Sequence, residues 1–259
     1  MGLWKNIVAL LLLLLNSCAA LAEKFTIAAA SDLRYALNEV IVEYRKQYPN
    51  HEPTVIYGSS GKMTTQIVNG APYDIFFSAD IGFPQKLHAE GFAVTEPAVY
   101  AIGRVVLWSA NHDASQLTLK DLAADKFRRI AIAQPAHAPY GQRAKEAMQA
   151  AGVWAGVQSK LVFGENIAHT AQMAESGAAD IAIIALSLAK FPAMARRGYH
   201  LIDETLHQPL TQGYVVTSHG EGKAGVGSFI AFMETDTAHQ IMEGYGFVMA
   251  ERDSAEIPE

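Results

Sequence analysis

Short β-type runs that pass into helices through turns of very small residues constrain this chain most. Residues 25–29 form such a run and Ala28-Ala29-Ala30-Ser31 closes it. Leu33, Leu37, Val40, Ile41 and Tyr44 then fall on one face of a helix. Residues 54–57 lead in the same way into Gly58-Ser59-Ser60-Gly61 and a helical period over 63–68. A junction of this kind aims backbone N–H groups and a Ser hydroxyl outward from the positive end of a helix, where an anion is favoured.

The alternation continues along the chain. Further β-type runs fall at 75–77, 105–108, 130–133, 161–163, 181–184 and 214–217, with helical periods at 83–90, 143–151, 168–176 and 229–242. Strands alternating with helices predict an α/β fold with largely parallel sheets. Two anion-type turns lie in the first third of the chain and two more in the middle, which predicts two lobes facing each other across a cleft, a preferred ligand site. The first lobe is expected to span 23–102, the second 103–211, and 212–259 to return to the first. The strand-like segment 103–109 is expected to lead out and 212–218 to lead back.

Residues 1–22 read as a secretory signal peptide. Lys5 precedes a Leu-rich apolar run over 7–15, and Ala20-Leu21-Ala22 offers a small-x-small cleavage site. A second reading takes Leu15-Asn16-Ser17-Cys18 as a lipobox, which leaves Cys18 lipidated at the mature N-terminus. Either way the chain is exported, to the periplasm, and its folded body has no cysteine, because Cys18 is the only one. Without disulfides the 237 residues after the leader must hold together by a core of their own. Taking Lys5 from the 20 basic residues leaves 19 against 26 acidic ones. A net-acidic protein that holds an anion does so by local geometry. The same balance excludes nucleic acid as a partner, since that needs a basic surface.

Four turns carry the chemistry. Ser31 stands where an N-cap should, and the small residues before it leave access to the turn. Asp32 suits the helix dipole but repels an anion, so it is expected to point away or to meet a proton that the ligand carries. In the second turn the glycines allow close backbone approach around Ser59 and Ser60, and Lys62 is either an aid to the anion or a solvated charge. The spacing is not that of a P-loop. The third turn, Gln134 to Gln142, is stiffened by Pro135 and Pro139 and presents the N–H of Tyr140, with its hydroxyl as a further candidate. His137 there reads as structural. In the fourth, Asn166 caps a helix and leaves the N–H of Ile167 pointing outward.

Together these residues resemble a known family. Ala-Ala-Ala-Ser at 28–31, Tyr-Gly-Ser-Ser-Gly at 57–61 and Gly-Ala-Pro-Tyr-Asp-Ile-Phe-Phe-Ser-Ala-Asp at 70–80 are similar to the molybdate-binding periplasmic proteins of ABC transporters. So are His-Ala-Pro-Tyr-Gly at 137–141, Gly-Glu-Asn-Ile at 164–167, Ala-Asp-Ile-Ala-Ile-Ile-Ala at 179–185 and Tyr-Gly-Phe at 245–247. The resemblance implies a two-lobed type II periplasmic-binding fold with a tetrahedral oxyanion, molybdate or tungstate, between the lobes and no other cofactor. It implies hydroxyl donors at Ser31 and Ser60 and backbone donors at Tyr140 and Ile167, with Asp32, Ser59 and Gly61 as additional candidates. Some members add a Tyr hydroxyl from the strand that ends here at Ala185, which has none to give; the Tyr140 hydroxyl is the candidate replacement. The implied partners are a membrane permease with its ATPase, and the expected state is a monomer.

Other readings remain open from the residues alone. The same cage could hold phosphate, sulfate, thiosulfate or a small organic acid, and the same fold could serve a sensory module without a transporter. A hydrolase would use Ser60 or Ser31 as nucleophile with His137 or His169 as base. No G-x-S-x-G elbow or spaced metal-ligand cluster supports it, so a binding protein without catalytic activity is the expectation.

Overall fold

The computed structural model describes residues 22–250. The signal-peptide run and Cys18 lie outside the described residues. Strands β1 (Glu23–Ala30), β2 (His51–Gly58), β3 (Ile75–Ser78) and β4 (Ala98–Gly103) come first. They are followed by β5 (Val105–Trp108), β6 (Ile130–Ala133), β7 (Leu161–Gly164), β8 (Ile181–Ala185) and β9 (Tyr199–Leu201). Strands β10 (Leu210–Val216) and β11 (Val248–Met249) end the series. The first and last groups form a six-stranded sheet in the order β11-β4-β10-β3-β1-β2, and the middle group a five-stranded one in the order β7-β6-β8-β5-β9. The protein is thus a two-lobed α/β structure of the type II periplasmic-binding kind.

The sheets are mixed, not largely parallel. Strands β2 and β3 run parallel to β1, and β7 and β8 parallel to β6, but β10 is antiparallel to both β3 and β4, and β5 to both β8 and β9. The strands at which the chain changes sheets, β4, β5, β9 and β10, are antiparallel to neighbours, and so is the terminal β11 to β4. The chain leaves the first sheet by β4 and returns beside it by β10, and an exit and a return that lie side by side must run in opposite directions. The expected continuous strand over 103–109 is broken at Arg104, where the chain passes from β4 to β5.

Helices of eight or more residues are α1 (Arg34–Gln47), α2 (Ser60–Val68), α3 (Gly82–Ala89), α4 (Pro139–Ala150), α5 (Ile167–Glu175), α6 (Ala224–Met233) and α7 (Asp236–Gly244). Helix α1 buries Leu37, Val40, Ile41 and Tyr44, the face that the periodicity marks. The single period expected over 229–242 is two helices. Thr235 starts the second, its hydroxyl accepting the Ala238 N–H at 3.3 Å.

One core lies between α1, α6 and the six-stranded sheet, around Phe25, Ile27, Leu37, Tyr44, Phe77 and Phe229. A second lies on the other face of that sheet, around Met63, Phe76 and Leu87. The third fills the other lobe, around Trp108, Ile132, Met148 and Ile183, and reaches Ala30 and Ala79 of the first sheet. Alanine at those two positions lets the lobes touch at the strand ends. Phe229 is fully buried, with its ring centroid 5.8 Å from that of Phe25, 5.1 Å from Tyr44 and 6.3 Å from Phe77. Truncation there leaves a cavity among rings, so Phe229→Ala is expected to lower the unfolding free energy by about 3–5 kcal/mol in urea melts. A loss under about 1 kcal/mol would contradict this packing.

Candidate functional site

The parallel strands β1 and β2 end at Ala30 and Gly58, and β6 and β7 end at Ala133 and Gly164. Each is followed by the turn into a helix, so the four turns stand at the carboxyl ends of parallel strands, the usual place for a ligand in α/β sheets. The two sets face each other. Ser31, Ser60, Tyr140 and Ile167 line one small cavity of about 190 Å³ including its open mouth. Its free interior is only about 10 Å³, the room of about one water. As residues of the first helical turn, Tyr140 and Ile167 have N–H groups with no intrahelical acceptor.

Ser31 does not cap its own helix. It opens a 3-10 turn over Ser31–Leu33 with no side-chain cap bond. Its hydroxyl crosses to the other lobe, accepting the Ala168 N–H at 3.2 Å and donating to Asn166 Oδ1 at 3.1 Å. Asn166 caps α5 as expected, accepting the His169 N–H at 2.9 Å. Ser60 is fully buried, and its oxygen accepts the Ala79 N–H at 3.0 Å. That bond fixes the hydroxyl oxygen while leaving its proton to donate into the cavity.

The remaining candidates have other partners. Ser59 Oγ lies 2.8 Å from His137 Nδ1, and the Gly61 N–H donates to the His137 carbonyl at 3.0 Å. A Cβ on Gly61 would lie 2.8 Å from that carbonyl oxygen, so this contact between lobes needs glycine. Burial, and then the Lys62 charge, hold the pKa of His137 below the usual imidazole value. Lys62 itself pairs with Glu165 across the lobes at 2.7 Å, an exposed pair that solvent screens. A second bridge between lobes joins Arg143 to Asp80 at 3.0 Å. Among the described residues neither His137 nor His169 bonds to Ser31 or Ser60, so the side chains that a hydrolase would need are not paired.

Asp32 is buried in a network that the sequence did not announce. Its Oδ2 accepts from Gln212 Nε2 at 2.7 Å and from the Tyr140 hydroxyl at 3.1 Å, and Gln212 Nε2 also donates to the Tyr140 oxygen at 3.1 Å. Tyr100 donates to Gln212 Oε1 at 2.5 Å, which fixes the amide with its NH2 toward Asp32. Ser187 donates to the Asp32 carbonyl at 2.8 Å. The Tyr140 hydroxyl is therefore spent on Asp32. Gly103 makes room for the network, since a Cβ there would lie 2.5 Å from Gln212 Nε2. Gln212, Tyr100 and Ser187 come from distant segments; the one signal in the chain was an amide within an otherwise apolar strand.

Burial raises the Asp32 pKa from 3.8 to about 6, against the lowering effect of the Gln212 and Tyr140 hydrogen bonds. Among the described residues no group of three or more His, Cys, Asp or Glu is placed to hold a metal ion, and no helix is long and apolar enough to cross a membrane.

A lobed α/β body with a small cavity at facing helix starts defines a solute-binding protein. The family model of bacterial extracellular solute-binding proteins matches residues 25–248, and the chain belongs to that family. Its relatives include the molybdate-binding protein ModA of Rhodobacter capsulatus, 34% identical over 205 residues that cover 76% of this chain and 78% of the relative. The solved periplasmic molybdate-binding protein of Azotobacter vinelandii superposes with a TM-score of 0.83 at 32% identity, covering 88% of this chain and all of the other. The sulfate-binding protein SubI of Mycobacterium tuberculosis shares the fold at 15% identity with a TM-score of 0.69, covering 87% of this chain and 86% of its own.

The raised Asp32 pKa has a consequence for stability. A carboxyl whose folded pKa exceeds its unfolded value stabilises the fold fully below the unfolded value, and that contribution is lost as pH rises through the folded one. Asp32→Asn keeps the acceptor and removes the charge. Its stability relative to the parent should rise between about pH 4 and pH 7, by roughly 3 kcal/mol in paired denaturant melts. A difference that stays flat with pH would contradict the burial of an ionised Asp32.

Proposed function

We propose that this protein is the exported substrate-binding component of an ABC importer, which captures molybdate, and tungstate with it, and delivers the anion to a membrane permease driven by an ATPase. The observation that carries the reading is the meeting of four strand-to-helix turns, two from each sheet, around one small cavity. The names of the relatives in Rhodobacter and Azotobacter support molybdate as the ligand. The reading includes a monomer in the periplasm, exported by residues 1–22, with a lipid anchor at Cys18 as the alternative maturation. It takes 23–102 with 212–259 as one lobe and 103–211 as the other.

The chemistry follows from the ligand's charge. A fully ionised tetrahedral oxyanion accepts hydrogen bonds and donates none. The hydroxyls of Ser31 and Ser60 and the N–H groups of Tyr140 and Ile167 replace its hydration without a counter-charge. Each such charge-assisted bond is worth roughly 1.5–3 kcal/mol, less the cost of ordering the lobes around the ion. Ser31 must turn its proton from Asn166 into the cavity while it keeps the bond from Ala168. Closure of the lobes then selects by size, because the longer metal–oxygen bonds of molybdate and tungstate need a wider cage than sulfate does. A closed body presents both lobes to the permease in one fixed relation, which reports that the site is filled.

Calorimetry of the mature protein with molybdate, tungstate, sulfate and phosphate tests this. The expected result is tight binding of the first two, with Ser60→Ala weakening it by roughly 10- to 100-fold. Heat with phosphate alone, or an unchanged Ser60→Ala, would overturn the reading.

A further inference from the structure

Asp32 is the only carboxylate among the residues that line the anion cavity. Its two oxygens stand in different situations. Oδ2 accepts from Gln212 and Tyr140, while Oδ1 is buried with no hydrogen-bond partner. An unpaired buried carboxylate oxygen is costly in itself, and a dianion brought beside it adds like-charge repulsion in a site of low dielectric. A neutral carboxylic acid removes both costs. It leaves Oδ2 as the acceptor for Gln212 and Tyr140 and gives Oδ1 a proton to donate.

We propose that Asp32 serves in the bound state as a neutral acid, its Oδ1–H acting as a further donor to the oxyanion, so that capture of a dianion takes up one proton from solvent. The inference rests on the oxyanion reading above and adds to it a specificity-determining residue. The proton goes from solvent to Asp32, and no other bond forms or breaks.

The surroundings fit a neutral group. The titratable side chains that face Asp32 are Tyr140 from α4 and Tyr100 from β4. Burial, and then the Asp32 charge, hold both phenols well above their ordinary value, so both stay neutral. Gln212 from β10 and Ser187, just after β8, are its other polar neighbours. The side chains bonded to the Asp32 carboxyl are thus an amide and a phenol, with no cation among them to hold its charge; the N–H groups of Asp32 and Leu33 at the start of the turn lie near enough to lower its pKa, though neither makes a full hydrogen bond to Oδ1. Burial, net of the hydrogen bonds that oppose it, already raises the carboxyl pKa to about 6, and a dianion beside it pushes it further toward the neutral form.

The test is titration of molybdate into the mature protein at about pH 8 in several buffers of differing ionisation enthalpy, where the observed heat reads the protons exchanged. The parent protein should take up close to one proton per anion, and its Kd should weaken by up to about tenfold per pH unit above pH 6. Asp32→Asn, checked for folding by its melt, should show no uptake and a Kd constant with pH. Molybdate binding to the parent with neither proton uptake nor pH dependence would overturn the inference and leave the oxyanion reading standing. Hydrogenphosphate bound more tightly than molybdate, without uptake, would also overturn it, since Asp32 would then be an ionised acceptor for the ligand's own proton. No heat with any oxyanion at any pH would instead sink the reading on which the inference rests.

Discussion

A backbone N–H inside a protein must find an acceptor, and in the first turn of a helix it has none within the helix. The architecture of this protein follows from using that deficit. Parallel strands β1 and β2 in one sheet, and β6 and β7 in the other, bring the starts of four helical segments to facing edges. The small residues at those edges, Ala30, Gly58, Ala79 and Ala138, keep the turns clear of bulk while the lobes meet. Two lobes are needed because one sheet can offer its donors from one side only. An anion enclosed from both sides is removed from water, where neutral donors gain strength.

The lobes are joined by polar contacts of unequal weight. The Lys62–Glu165 pair is exposed and weak. Buried links run from Tyr140 in one lobe to Asp32 in the other, with Gln212 of the returning strand β10 bonded to both, and from the Ser187 hydroxyl to the Asp32 carbonyl. Their members are held by packing and by the Tyr100 hydroxyl on Gln212. The same carboxylate borders the cavity between the lobes.

Much of this was legible in the sequence, and the limits have physical causes. The strand-to-helix junctions at 28–33 and 57–63 could be read because small residues and a sharp change of period coincide there. The four candidate donors come together around one cavity. Strands β9 and β11 are too short, at three and two residues, to be legible and take their form from pairing with β5 and β4, whereas β4 carries Val99, Tyr100 and Ile102 and was legible in kind but missed. The break at Arg104 and the mixed direction of the sheets depend on where the chain changes lobe, which local periodicity does not record. Ser31 looked like a cap because its neighbours are helical, yet its partners, Asn166 and Ala168, are more than 130 residues away in sequence. The Tyr140 hydroxyl looked available until the burial of Asp32 and Gln212 gave it a nearer use.

The central claim is that one anion sits between the lobes on donors from both. A crystal structure of the mature protein with molybdate, phased on the anomalous signal of molybdenum, tests it most directly. The account predicts a single molybdenum peak in the cavity. Its oxygens should lie within hydrogen-bond distance of the Ser31 and Ser60 hydroxyls and of the Tyr140 and Ile167 N–H groups, with the Ser31 to Asn166 bond released. A peak in the wider cavity of about 900 Å³, open mouth included, beside Arg34 and His169, or ligation by one lobe alone, would contradict it.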